Sequence, residues 1–267
     1  MGKADWDLEA DYGPWVQEVR RILKVGGTAY AFGLPEAIAA HWATFPDPKR
    51  WLTWTVTNRV SPGAKSWQPS QEAIAMFWKG KSPFFDRDAV REPYSAAYAR
   101  LKGKPRPKTA GRFGSAPSRY GASSGALPRS VLTGPGLSGG IGAREGLAHP
   151  CQKPLWLPER LIKASCPPDG LVLDLFAGTA TTSVAAHRQG RHWIAVEQDT
   201  KWCEVARERL RDEGAPAQIA VNPGPKDWAD LMAWKAAIES NLKEIQSALT
   251  RLEHRRENRR ETTSDSI

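Results

Sequence analysis

The spacing of apolar residues in the first third of the chain predicts helices that alternate with strands. Over residues 14–24, apolar side chains recur every three or four positions, which places them on one face of a helix. A buried strand is predicted at Thr28–Gly33 and a second helix at residues 34–44. Runs rich in β-branched and aromatic residues at 51–59 and 72–78, joined by a turn, predict an antiparallel pair of strands.

In the second half of the chain, a buried strand is followed by a small-residue turn and a helix. Leu171–Asp174 is an apolar run that ends in an acid, Gly178 lies in the turn, and residues 179–188 have helical periodicity. A further strand at residues 192–196 leads to Glu197. The alternation of strands and helices predicts an α/β fold with a parallel sheet.

A strand, a tight turn and a helix N-terminus form the cradle that α/β folds use for nucleotide-like ligands. Gly178 has no Cβ, so the backbone could approach a ligand closely there. Glu197 lies about twenty residues beyond the turn, a spacing that suits a carboxylate accepting hydrogen bonds from ribose hydroxyls. The turn lacks both a following Gly-Lys-Ser/Thr and a complete GxGxxG, which disfavours nucleoside triphosphates and dinucleotides.

Three motifs identify the kind of α/β domain. They are His-Pro-Cys-Gln-Lys-Pro at residues 149–154, Asp-Leu-Phe-Ala-Gly-Thr-Ala-Thr-Thr at residues 174–182, and Ala-Val-Glu at residues 195–197. Together they resemble the S-adenosylmethionine half of the N4/N6 amino-methyltransferases of DNA, in the circularly ordered group whose catalytic half comes first. The chain departs from the family pattern at Cys151, Leu175 and Ala180, where the family has threonine, proline and glycine. Ala180 tolerates a positive φ less well than glycine does.

The resemblance implies a Rossmann-like, S-adenosylmethionine-dependent methyltransferase sheet in circular order. We expect an N-terminally incomplete catalytic-side half at residues 1–99, a target-recognition segment at 100–148, a cofactor-binding half at 149–222 and a helical tail at 223–267. Apolar residues from Trp228 to Leu252 follow a heptad-like spacing that Lys235 interrupts. This helix at 228–252 would either pack on its own domain or form a homodimer.

Composition limits the compartment and the partners. The apolar runs fall short of the ~20 residues that a membrane helix needs, and no secretory signal begins the chain. We therefore expect no membrane contact. The three cysteines are odd in number and have no metal-ligand spacing, so we expect a reducing, cytoplasmic compartment and no metal. The net charge of +9 indicates an anionic partner.

Most of the charge excess comes from residues 100–148, where nine basic residues accompany a single acid, Glu145. This stretch is rich in Gly, Ser and Pro and cannot bury much apolar surface, which predicts a long loop or a partly disordered insertion. It is either a solvated basic linker or a segment that binds phosphates and reads bases. The glycine-rich run at 136–142 is interpreted as a flexible stretch, because no strand is predicted before it.

The resemblance favours the second interpretation, since the family places its target-recognition region here. It implies double-stranded DNA as the partner. The DNA-binding candidates are Arg106, Lys108, Arg112 and Arg119.

By resemblance, seven residues are candidates for binding S-adenosylmethionine. The methionine and sugar portions would be contacted by Asp174, Phe176, Gly178 and Thr179. Glu197 would bind the ribose hydroxyls. Near the amino-acid end would lie Gln152 and Lys153, and Lys153 could pair with the carboxylate. The structural alternatives are that Asp174 caps the following helix, that Phe176 is a core residue, and that Lys153 is solvated.

The family's catalytic motif, Asp/Asn/Ser-Pro-Pro-Tyr/Phe/Trp, has no match in the sequence, so no residue is named as catalytic. In the family, this motif accepts hydrogen bonds from the exocyclic amine of a flipped-out base and stacks an aromatic ring on it. Residues 167–169, 92–94 and 11–15 contain similar residue types in the wrong order or region.

The residues after Met1 resemble the continuation of the family chain beyond its catalytic motif. We therefore expect Met1 to be an internal methionine of a longer enzyme, with the motif on a central strand between residues 28–32 and Leu171–Asp174. A sheet that lacked this strand would leave backbone groups unpaired, each at a cost of roughly 1–3 kcal/mol. The alternatives are a degenerate remnant and one half of a split enzyme.

Three functions follow from these expectations. The first is a site-specific methyltransferase that acts on adenine N6 or cytosine N4 of DNA. The second is a catalytically inactive remnant that binds DNA or the cofactor. The third is a methyltransferase of the same fold that acts on RNA or a small molecule, although the concentration of charge argues against a small molecule.

Overall fold

The computed structural model describes residues 12–60, 63, 65–101, 103–105, 125–138, 145–147, 149–215 and, as backbone, 219–221. The predicted DNA-binding residues Arg106, Lys108, Arg112 and Arg119 lie outside the described residues, as does the predicted tail at 223–267 with its 228–252 helix. The same holds for the segment before Tyr12.

Helices and strands alternate along the described chain. The helices are α1 (Tyr12–Ile22), α2 (Pro35–Ala40), α3 (Ala96–Ala99), α4 (Trp156–Ser165), α5 (Thr181–Arg188) and α6 (Thr200–Asp212), with a 3-10 turn at Trp42–Thr44. The strands are β1 (Thr28–Gly33), β2 (Lys49–Val56), β3 (Gln71–Trp78), β4 (Val131–Gly134), β5 (Leu171–Asp174), β6 (His192–Glu197) and β7 (Ile219–Val221).

The first four strands form one sheet in the order β1-β3-β2-β4. β3 is antiparallel to both β1 and β2, which confirms the antiparallel pair predicted from the sequence. Side chains on successive residues of β3 point to opposite faces. Ala73, Ala75 and Phe77 pack with Val16 of α1, whereas Ile74 and Met76 pack on the other face in a cluster that includes α4.

The last three strands form a second, fully parallel sheet in the order β5-β6-β7. α4 packs against both sheets and is their shared support. Its Leu157 and Leu161 belong to the core of the first sheet. Its Ile162 lies on the second sheet's side, in a cluster with Ala185 and Ala186 of α5.

β1 and β5 are edge strands: within the described residues, each pairs with a strand on one side only. Two side-chain contacts link the sheets near these edges. The Tyr30 hydroxyl is hydrogen-bonded to the Ser165 hydroxyl, and the rings of Trp15 and Phe176 meet edge to face at 5.7 Å.

The stretch 100–148 is not entirely a loop, because β4 lies within it and pairs in parallel with β2. The prediction that no strand precedes the glycine-rich run at 136–142 was therefore wrong. β4 has only four residues, too few to show a hydrophobic period. It ends at Gly134, where a Cβ would lie 2.4 Å from the Trp156 ring, so only glycine lets this tryptophan pack there.

Two searches of the described residues are negative. None of the helices there is long and apolar enough to cross a membrane. No group of three or more His, Cys, Asp or Glu side chains there is placed to hold a metal ion.

Candidate functional site

The turn between β5 and α5 contains two residues with left-handed backbone conformation. Gly178 has φ +51° and Ala180 has φ +58°. The Ala177 amide donates to the Val196 carbonyl at 2.9 Å, which joins the turn to the end of β6. This brings the turn next to Glu197, the last residue of β6, at the C-terminal edge of the second sheet.

The Glu197 carboxylate accepts hydrogen bonds from two backbone amides at this edge of the sheet. Its Oε2 accepts a hydrogen bond from the Gly178 amide at 2.7 Å, and its Oε1 accepts one from the Asp199 amide at 2.9 Å. A carboxylate has about four acceptor positions, so about half of them are still available for ligand hydroxyls. The structure thus holds the predicted ribose-binding carboxylate directly against the glycine turn.

Asp174 places a second carboxylate in the same site. Its Oδ1 accepts a hydrogen bond from the Phe176 amide at 3.0 Å, and the Thr182 side chain is a second partner. Burial raises the pKa of Asp174, and the nearby Glu197 charge acts in the same direction. The helix-capping alternative does not hold, because Ala180 occupies the N-cap of α5 and no side chain caps that end.

Phe176 lies at the mouth of the site. Its side chain is 69% exposed and contacts the Trp15 ring, so it is not a core residue. An exposed aromatic ring beside two acceptor carboxylates offers an apolar surface next to a polar one, as sites for nucleosides require.

His149 covers the glycine turn, a role that the sequence did not reveal. A Cβ at Gly178 would come within 3.2 Å of the His149 Nε2 atom. The missing side chain at this position therefore makes room for the imidazole. The imidazole is also in contact with Trp202, whose ring meets it edge to face at 4.5 Å.

The protonation of His149 follows from its contacts. Its Nδ1 accepts a hydrogen bond from the Cys151 amide at 3.1 Å, so the neutral ring carries its proton on Nε2, the atom near Gly178. Burial lowers the pKa of His149, against the opposing charge of Glu197. The lowered pKa favours the neutral imidazole, whose Nε2–H then faces the turn.

Gln152 and Lys153 make contacts that the motif alone does not indicate. The Gln152 side chain donates to the Glu145 carbonyl at 2.9 Å and accepts from the Leu147 amide at 2.8 Å, which ties the end of the 100–148 stretch to the motif. Lys153 is partly exposed and has protein partners. Its Nζ lies 3.4 Å from the Glu72 carboxylate of β3 and donates to the Cys151 carbonyl at 3.1 Å.

Thr179 faces the interior below the turn. It is 2% exposed, and its carbonyl accepts a hydrogen bond from Arg209 Nη1 at 3.1 Å. Arg209 also lies 3.7 Å from the Glu145 carboxylate. The helical period of α6 could not single out Arg209, because its partners lie far from it in the sequence.

Comparison with known proteins decides the family. The family model described as DNA methylase, of the N6/N4 type, matches residues 7–208. The chain belongs to this DNA methylase family. The predicted resemblance is thereby confirmed.

Several curated relatives are Type II methyltransferases. M1.MboII of Moraxella bovis is 26% identical over 237 residues, which cover 77% of this chain and 83% of that protein. M.ScaI of Streptomyces caespitosus is 34% identical over 154 residues, covering 56% of this chain and 46% of that protein. M.HpaI of Haemophilus parainfluenzae is 28% identical over 205 residues, covering 74% of this chain and 58% of that protein. The chain thus spans less than two thirds of the last two.

Among solved structures, the M1.HpyAVI–SAM complex is similar with a TM-score of 0.50 and 20% sequence identity. The similarity covers 73% of this chain and 80% of that one. It confirms the predicted fold, an α/β methyltransferase sheet.

Proposed function

We propose that this chain acts in site-specific methylation of DNA, in which a methyl group passes from S-adenosylmethionine to adenine N6 or cytosine N4 of a flipped-out base. The observation that supports this most directly is the Glu197 carboxylate bound to the Gly178 amide beside the partly buried Asp174. The two carboxylates and the glycine turn provide acceptors for ribose hydroxyls and for the cofactor's ammonium group. The family membership and the Type II relatives support DNA as the substrate.

The residues of the site fit the proposed cofactor. Glu197 would bind the ribose hydroxyls, and Asp174 with the backbone of the turn would bind the methionine portion. Lys153, now paired with Glu72, would have to exchange that partner for the cofactor's carboxylate. When bound, the cofactor would supply a methyl group on a positively charged sulfur.

The chain's part in the chemistry is to position the cofactor and the base. The acceptor amine would lie at the C-terminal edge of the second sheet, beside the exposed Phe176. By the family resemblance, the oxygen atoms of an Asp/Asn/Ser-Pro-Pro-aromatic motif would accept hydrogen bonds from the exocyclic amine. The amine nitrogen would gain the methyl group as the cofactor's carbon–sulfur bond breaks, and one proton of the amine would be released to solvent.

The test combines binding with methyl transfer. Calorimetry would measure the affinity for S-adenosylmethionine, and unmethylated DNA would then be incubated with methyl-labelled cofactor. Mass spectrometry of the digested DNA would identify N6-methyladenine or N4-methylcytosine. Labelled DNA supports the proposal, and the modified base names the target.

A second candidate function, left open by the sequence, is a catalytically inactive protein that binds DNA, the cofactor or both. Cofactor binding without label in DNA would establish this alternative. Protein that binds neither cofactor nor DNA would contradict both proposals.

DNA recognition is assigned to Arg106, Lys108, Arg112 and Arg119 on the charge pattern of the sequence. Replacing the first three by glutamine should lower the slope of log affinity against log salt by about 2–3, since each phosphate contact contributes about 0.9. A matched control replaces the exposed Arg20, Arg50 and Lys163 by glutamine and should leave more of the slope intact. Equal slopes for the two triple variants would contradict DNA recognition by this segment and would favour the interpretation as a solvated linker.

We further propose that residues 228–252 form a dimerisation helix. Sedimentation of the full chain and of a variant with Leu242 and Ile245 changed to aspartate tests this. A monomer in both cases would contradict it.

A further inference from the structure

The turn between β5 and α5 has an unusual residue at its second left-handed position. Ala180 has φ +58° and ψ 32°, and it is fully buried. A side chain with a Cβ rarely adopts this conformation, and such strain persists only when neighbouring groups impose it. The geometry therefore calls for a restraint on the residues beside Ala180.

Arg209 supplies that restraint from α6. Its Nη1 donates to the Thr179 carbonyl at 3.1 Å and to the Thr181 hydroxyl at 2.9 Å, the residues on either side of Ala180. The Arg209 side chain is only 13% exposed, and its Nη2 lies 3.7 Å from the Glu145 carboxylate. The guanidinium is thus held in place on one side and binds the turn on the other.

We infer that Arg209 is a positioning residue, which holds the Gly178–Thr181 turn in the strained conformation that the cofactor requires. The inference rests on the proposed function for its link to S-adenosylmethionine. The Gly178 amide that binds Glu197 belongs to the same turn, so a turn that relaxed at Ala180 would also shift this amide. Arg209 then acts on the cofactor through the turn, and it has no need to touch the cofactor itself.

Arginine is suited to this task because its planar guanidinium presents several donors in a fixed fork. Lysine keeps the charge toward Glu145 but concentrates its donors at one atom, so it cannot reproduce the same set of bonds. Glycine at position 180 would adopt the left-handed conformation without strain. Arg209→Lys and Ala180→Gly together therefore separate a restraint on the turn from a general contribution to stability.

The test is a double-mutant cycle on the affinity of the full chain for S-adenosylmethionine, measured by calorimetry. Arg209→Lys should weaken binding about tenfold, the effect of one hydrogen bond to a charged group. In the Ala180→Gly background, the same change should weaken binding less than about threefold, because the turn no longer needs the restraint. Arg211→Lys, on the exposed side of the same helix, is the control and should leave the affinity unchanged.

Equal losses in the two backgrounds, or no loss with Ala180 in place, would overturn the inference. The same double-mutant cycle is also measured on the thermal unfolding midpoint without cofactor. This second cycle tests the restraint by Arg209 independently of the proposed function. A wild-type chain that binds no S-adenosylmethionine contradicts the proposed function. In that case, a larger drop in midpoint for Arg209→Lys with Ala180 in place than in the Ala180→Gly background still supports the restraint, and equal drops overturn it.

Discussion

The two sheets of this protein differ in how deeply they are buried. The residues from Ala73 to Phe77 of β3 are all buried, with exposures from 0 to 6%, and helices cover both faces of that sheet. In β5, Leu171 is 36% exposed and the other residues are only partly buried. The first sheet is a packed core, whereas the second ends in an open edge and a polar turn.

The difference shows where stability and ligand chemistry reside. Apolar burial, which contributes about 25 cal/mol per Å², is concentrated in the first sheet and α4. At the second sheet, the partly buried Asp174 carboxylate and the left-handed Ala180 lower stability. Glu197 orders the turn by accepting a hydrogen bond from the Gly178 amide. Changes in the first sheet should therefore reduce stability, and changes in the second should alter binding.

The largest expected effect is on the shared support between the sheets. Leu157 of α4 is fully buried against the first sheet, so Leu157→Ala should lower the free energy of unfolding by about 2–5 kcal/mol. Urea denaturation followed by tryptophan fluorescence measures this. Leu127→Ala is the control, since Leu127 is 51% exposed and should change stability by less than about 0.5 kcal/mol. Similar losses for the two variants would contradict the assignment of the core.

Glu197→Gln should separate binding from stability at the second sheet. The amide can accept only one of the two hydrogen bonds from Gly178 and Asp199, and it has no charge. We expect the affinity for S-adenosylmethionine to fall about 10- to 100-fold, the range for hydrogen bonds to a charged group. Calorimetry measures the affinity, and unfolding of the same sample checks that the variant is folded. An unchanged dissociation constant would exclude Glu197 from the cofactor site.

Gly134→Ala should affect the first sheet alone. The new Cβ would lie 2.4 Å from the Trp156 ring, and such overpacking costs about 1–3 kcal/mol. Thermal unfolding measures the loss. Trp156→Leu removes the ring, so the penalty of Gly134→Ala should shrink in that background. A penalty of the same size with and without the tryptophan would show that the clash is not its cause.

The smallest effect is expected at Asp174, with opposite signs for stability and binding. Burial raises the pKa of this carboxyl above its ordinary value of 3.8, so its ionised form is disfavoured in the folded state. Asp174→Asn should raise the unfolding midpoint at pH 7 by up to a few degrees, since 1 kcal/mol corresponds to roughly 2–4 °C at this size. The same variant should bind S-adenosylmethionine more weakly.

The sign of the pH dependence follows from the raised pKa. The destabilising effect of the ionised Asp174 is complete above its folded-state pKa and disappears below its unfolded-state value. The midpoints of the wild type and Asp174→Asn should therefore converge as the pH falls from about 7 toward about 4. A gap that widens on acidification would mean that the carboxylate stabilises the fold.

Local patterns account for the elements that were predicted from the sequence. Thr28–Gly33, Leu171–Asp174 and the helix α1 each show their apolar pattern within one element, so neighbouring residues suffice to predict them. β4 was missed because its four residues are stabilised by pairing with β2, a contact between segments far apart in the chain. Its strand character comes from the partner that it meets.

The residues of the candidate site also fall into two groups, those that local motifs predict and those that only tertiary contacts place. The motifs place Asp174, Gly178 and Glu197 on one strand–turn–helix–strand unit, and short connections bring such residues to a common edge of the sheet. His149 over the turn and Arg209 below it come from separate parts of the chain. Their positions depend on how α4 and α6 pack, which the hydrophobic pattern does not specify.

The sequence by itself determined the family, the α/β class and the acidic residues that meet the glycine turn, because each depends on residues close together in the chain. Only the tertiary structure decided that the strands form two sheets, that β4 joins the first of them, and that an arginine binds both neighbours of a strained alanine. These contacts join distant residues, and their energies arise from packing and hydrogen bonding that exist only once the elements have assembled.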